Sequence, residues 1–160
     1  MGTHTKRFWR GFGRLNLQQL KAGKGFITRG RTTSMINFSV SRHYRASSQE
    51  LWRFLTDTTL WPMWGPTVMA VRCSERFIRK GSVGTVRTPI GVWVPFVITE
   101  YDDLHFWAWK VAGIRATGHR VVAQRDHSCR LFFELPVYGL PYALVCRRAT
   151  ANLARLLGSN

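Results

Sequence analysis

ASSQELWRFLTDTTLWPMWGP, residues 46–66, decides the fold. Ser47 is placed to cap a helix, and Glu50, three residues later, is placed to reach back and complete a capping box. Ala46 and Leu51 stand at the staple positions on either side. Leu51, Trp52, Phe54 and Leu55 then mark one apolar helix face by their spacing. Asp57-Thr58-Thr59 supplies a second set of capping oxygens, so Asp57 reads as a cap rather than a catalyst. Trp61-Pro62 and Gly65-Pro66 stop any continuation. The spacing therefore predicts two short helices in succession.

Strand patterns lie on both sides. Upstream, Ile36, Phe38 and Val40 alternate with polar residues, which predicts a half-buried strand. Downstream, strands are predicted at 68–73, 81–88, 92–100, 104–111, 115–124 and 129–137, separated by turn signals. Pro95 cannot donate to a ladder, so a bulge or an edge position is expected there. The period then changes. Pro141 suits the first position of a helix and Gly158 the residue beyond its end. Tyr142, Val145, Cys146, Ala149, Leu153, Leu156 and Leu157 would form its apolar face. The result is an α+β order of strand, two short helices, about six antiparallel strands and a long C-terminal helix. Only that helix is long enough to cover the sheet, and a twisted sheet wrapped around it leaves room for a cavity.

The chain has 160 residues and a net charge of +16, which suits one domain plus a basic segment. Residues 1–34 hold eight Lys or Arg and no acid, so half of the excess lies there. Such a composition buries too little apolar area to offset its ordering entropy, and 1–34 is expected to be a disordered extension to a domain at 35–160. It would suit weak attachment to an anionic surface, or an organelle transit peptide, or a segment upstream of the working start at Met35. No specific nucleic-acid motif accompanies it. Cys73, Cys129 and Cys146 are odd in number and lack metal-ligand spacing, so reduced thiols are expected. Neither a membrane span nor a secretory leader stands out, and the expected location is cytoplasmic, or an organelle if 1–34 is a transit peptide.

Several segments together resemble a known superfamily. They are Arg45-Ala46-Ser47, Glu50-Leu51-Trp52, Leu55-Thr56-Asp57 and Trp61 to Pro66, then Gly81-Ser82-Val83-Gly84, Trp107 to Val111 and Ala116 to Arg120. The chain from 35 to about 157 is similar to the SRPBCC or START-like helix-grip proteins, most of all the polyketide cyclase/dehydrase branch. The resemblance implies a helix-grip fold with about seven antiparallel strands. It leaves activity open, since the superfamily includes lipid carriers, hormone receptors, cyclases and hydratases.

Strand parity selects the candidate site. Lys110 marks the outer face of 104–111, which turns Trp107 and Trp109 inward. Arg120 marks the outer face of the next strand, leaving Thr117, His119 and Val121 inside. Arg130 and Glu134 do the same for Leu131, Phe133 and Leu135. His119 is either a core histidine paired with a backbone carbonyl or Thr117, or a group that contacts ligand and could act as a general acid or base. Trp107 and Trp109 either fill the core or stack on a flat ligand. Trp64 is expected to close one end of the cavity, Trp61 to stand at its mouth, and Trp52 to pack helix on sheet. Asp102 and Asp103 read as solvated turn residues. Phe96, Tyr142 and Val145 complete the expected lining.

These residues predict binding of a small hydrophobic, aromatic or lipid-like molecule, without catalysis, cofactor or metal, by a monomer or homodimer. The alternative is a cyclase or dehydratase with His119 as its catalytic residue, which the lack of an inward acid disfavours.

Overall fold

The Ser47 side chain accepts the Glu50 amide at 3.1 Å, and α1 (Ser48–Thr56) starts there with the forward half of the capping box. This computed structural model describes residues 37–159, so Ile36 and the basic segment 1–34, with everything read from it, lie outside the described residues. Leu51, Trp52 and Leu55 are buried on one side of α1. Asp57 then accepts both the amide and the hydroxyl of Thr59, at 3.1 and 2.6 Å, and opens a 3-10 turn at Thr58–Leu60. Directly after it comes α2 (Trp61–Trp64), with Pro62 in its first turn and Gly65 at its end.

Seven strands follow the expected order: β1 (Asn37–Tyr44), β2 (Ala70–Cys73), β3 (Val83–Arg87), β4 (Trp93–Asp102), β5 (Phe106–Val111), β6 (Ile114–Ala123) and β7 (Cys129–Pro136). They form one antiparallel sheet in the order β1-β7-β6-β5-β4-β3-β2. The first strand thus pairs with the last over eight residues, from Asn37↔Pro136 to Tyr44↔Cys129. Register shifts at Ile98/Glu100 and Ala108/Lys110 mark bulges, which increase local twist and bend the sheet around its inner face.

The helix α3 (Ala143–Leu156) covers that face, burying Cys146, Ala149, Thr150, Leu153 and Ala154. Tyr44 at the end of β1 donates its hydroxyl to the Thr150 carbonyl at 3.0 Å, and Asn152 donates to the Trp64 carbonyl at 3.1 Å. Gly158 adopts φ +62°, its amide bonds the Arg155 carbonyl and the Ser159 amide bonds that of Ala154, a Schellman end. The helix starts later than expected. Pro141 sits inside a 3-10 segment, Val137–Tyr142, because the chain leaving β7 must first turn back across the sheet.

Two strand expectations change. Pro95 lies neither on an edge strand nor at a bulge. Its carbonyl accepts the Ala112 amide at 2.8 Å, so its nitrogen faces the β5–β6 turn, where no ladder donor is needed. Phe38 stays 46% exposed, because β1 is an edge strand with a single neighbour.

Candidate functional site

Inward positions recur at every second residue, so cross-strand pairs build a wall. Trp107 pairs with His119 across β5 and β6, and His119 with Phe133 across β6 and β7. The His119 ring lies flat on Trp107, with centroids 3.7 Å apart and planes 10° apart, and meets Phe133 edge-on at 4.9 Å. Trp61 from α2 runs parallel to Trp107 at 5.6 Å and 2°. On the other side of the cavity the end of the 3-10 segment presents Tyr142, and α3 presents Val145, Cys146 and Ala149. Trp64 and the loop Gly65–Val68 complete the enclosure.

The free space inside is about 30 Å³, roughly one water molecule, whereas small-molecule sites usually offer about 300–1,000 Å³. At the rim the Thr67 and Tyr142 hydroxyls hydrogen-bond at 2.5 Å, joining the 65–68 loop to the start of α3. The 3-10 segment beside it is exposed at Val137, Tyr138 and Leu140, as is Leu144 in the first turn of α3.

Polar groups inside are few. Trp109 Nε1–H donates to Thr117 Oγ1 at 3.1 Å, and Thr117 Oγ1 stands 3.4 Å from His119 Nε2. His119 Nδ1 and Trp107 Nε1 are buried with no hydrogen-bonding partner from the protein. Burial pulls the His119 pKa from 6.5 down to about 3, a pull that the Trp107 backbone beside the ring only partly opposes. The imidazole is therefore neutral at neutral pH. It cannot serve there as an imidazolium acid, and it is a weak base. No carboxylate lines the cavity. No group of three or more metal-ligating side chains occurs among the described residues.

Residues 35–158 match the family model described as polyketide cyclase/dehydrase and lipid transport. The chain belongs to that family. Among solved structures, the protein XoxI from Bacillus cereus superposes with a TM-score of 0.60 at 12% identity, over 76% of this chain and 94% of its own. A protein from Mesorhizobium loti gives 0.61 at 12% identity, over 76% and 96%, and one from Chromobacterium violaceum 0.57 at 14%, over 78% and 98%. At such identities these likenesses show the shared fold. No curated protein matches the sequence significantly. The helix-grip fold and the family therefore stand, and the family's architecture is that of a ligand-binding domain. No described helix is long and apolar enough to cross a membrane.

Within this family domain, the structure brings together Trp64, Trp107, Trp109, Thr117, His119, Phe133, Tyr142 and Val145 around one cavity. Phe96 is elsewhere. It packs behind the wall on Trp61 and Trp109, at 5.4 and 5.8 Å, and shows its ring edge at Gly84 to a shallow outer hollow. That hollow measures about 480 Å³, but it is open to solvent, and its Arg72 lies over the Trp93 ring at 4.1 Å. The enclosed cavity, with its unpartnered nitrogens, is the better candidate for chemistry.

Trp61 is not at the mouth: only 1% exposed, it forms the cavity floor and donates to the Leu55 carbonyl. Trp52 does pack helix on sheet, tilted against Tyr101 at 5.8 Å. Asp103 is not merely solvated, since Trp52 and Tyr101 both donate to it at 3.1 Å. Asp57 is a cap remote from the cavity; burial raises its pKa, but hydrogen bonds from Thr59 and Arg76 and the Arg76 charge outweigh this and hold it low. Cys146 and Ala149 gave a faint signal as small residues three apart on the face of α3, where they leave the cavity its depth.

Proposed function

We propose that this domain binds a small hydrophobic, aromatic or lipid-like molecule between β5–β7 and α3, as a carrier or sensor rather than a catalyst. The observation that supports it is a neutral imidazole held in an aromatic enclosure with no acid beside it. A buried, orphaned polar pair on an otherwise apolar wall suits recognition, while proton shuttling calls for a partner to hold and exchange the proton. Loading parts the Thr67–Tyr142 seam and lifts the start of α3 from the 65–68 loop. Native mass spectrometry of protein purified from a lipid-replete host, followed by thermal shift with a lipid and polyketide library, tests the reading. A retained or stabilising apolar ligand is expected. Protein that emerges empty and is shifted by no library member would end the reading.

The second reading, a cyclase or dehydratase with His119 as general acid/base, draws on the family description. It requires that His119→Gln abolish turnover of a polyketide substrate in a folded protein. The basic segment 1–34 is proposed to add weak, salt-sensitive attachment to anionic surfaces in the cytoplasm. Vesicle binding unchanged by deleting 1–34 would count against that.

A further inference from the structure

The indoles of the core are satisfied, with one exception. Trp52 donates to Asp103, Trp61 to the Leu55 carbonyl, Trp64 to the Phe54 carbonyl and Trp109 to Thr117. Trp107 is 1% exposed and its N–H has no acceptor from the protein. The ring stacked on it, His119, is 2% exposed and also holds an unpartnered nitrogen, Nδ1. Both rings line the cavity.

One tautomer of the imidazole suits the hydrogen bonds around it. Thr117 Oγ1 already accepts from Trp109, so its own hydrogen is free to point at His119 Nε2. In that arrangement Nε2 accepts and the neutral ring carries its proton on Nδ1. In that tautomer both unpartnered nitrogens are N–H donors, carried on stacked rings that line an apolar enclosure. Unmet buried donors are rare and costly, and a ligand oxygen relieves both. No Lys or Arg lines the cavity, so a carboxylate entering it would be buried without a counter-charge.

We propose that the cavity is a seat for a neutral carbonyl compound, its oxygen accepting from Trp107 Nε1–H and His119 Nδ1–H. This rests on the ligand-binding reading of the same cavity and goes further, naming the ligand's polar group and excluding fatty acids and other anions.

Three probes of similar size separate the cases: acetophenone, its hydrocarbon counterpart cumene, and benzoate. Binding is read by calorimetry and by the Trp107 indole N–H resonance, assigned as the one lost in Trp107→Phe. Acetophenone is expected to bind roughly tenfold more tightly than cumene and to move the Trp107 indole proton downfield. Benzoate at neutral pH is expected not to saturate. Trp107→Phe and His119→Phe each keep a ring in place and should bring the ketone-to-hydrocarbon ratio toward one, with cumene still bound. If Trp107→Phe does not fold, His119→Phe and comparison with the other indole signals decide. Equal affinity for ketone and hydrocarbon in the wild type, or tighter binding of benzoate, overturns the carbonyl seat while the apolar site stands. Failure of all three to bind removes the ligand-binding reading as well.

Discussion

Acidification should destabilise this protein through His119 well before its carboxylates matter. The imidazole titrates at about 3 in the folded chain against 6.5 for the free group. Between those values the unfolded chain holds a proton that the folded chain refuses, so unfolding takes up protons and stability falls with pH. The slope approaches about 1.4 kcal/mol per pH unit, so acidifying from pH 7.5 to 5 removes on the order of 2 kcal/mol. Asp57 and Glu75 have lowered pKa values, so their share of stability is lost only below the ordinary carboxylate range. The other described histidines, His43, His105 and His127, are exposed. Urea melts at pH 7.5 and pH 5 should therefore differ by about 1 M in midpoint, given a slope of roughly 2 kcal/mol/M for a domain of this size. His119→Phe keeps a planar ring between Trp107 and Phe133 but cannot titrate, and most of the pH dependence should vanish with it. A wild type with the same midpoint at both pH values, or a variant with an undiminished slope, would refute a buried neutral imidazole.

Three further outcomes follow from the same structure. Tyr142→Phe removes the seam to Thr67 and should cost no more than about 1 kcal/mol in urea melts, while speeding ligand entry in stopped-flow fluorescence. Gly84→Ala should destabilise by about 1–3 kcal/mol, because a Cβ there meets the Arg72 carbonyl and, at 2.8 Å, the Phe96 ring; a variant as stable as the parent would show that these neighbours yield. Alkylation of folded protein should modify Cys73 alone, since burial pushes the Cys129 and Cys146 thiols up to about 11 and 12, and all three should react in denaturant.

The legible parts were those set by local rules. Ser47 and Asp57 announced their caps, because a capping oxygen acts within three residues of its own position. The inward parity of β5, β6 and β7 followed from Lys110, Arg120 and Arg130, charged residues that a packed apolar face does not accommodate. Relations between elements were less legible. Trp61 was expected at the mouth but lies on the floor, because its depth depends on how α2 is seated on β5. Phe96 has the right parity, yet its ring leans over Gly84 instead of facing α3, a choice made by a missing Cβ on another strand. The closed state of the cavity was invisible too. Alternation says which side chains face each other, whereas free volume depends on how tightly the rings interlock.

Trp61, Trp107 and His119 lie nearly parallel, one each from α2, β5 and β6. The molecule thereby carries its own optical gauge. Indole emission responds to the polarity and charge of whatever touches the ring, and here the ring stacked on His119 is an indole. Anything that enters, protonates His119 or tilts α2 must disturb that pile of rings. Occupancy could be followed without a dye, a tag or an engineered reporter, by light the chain already emits.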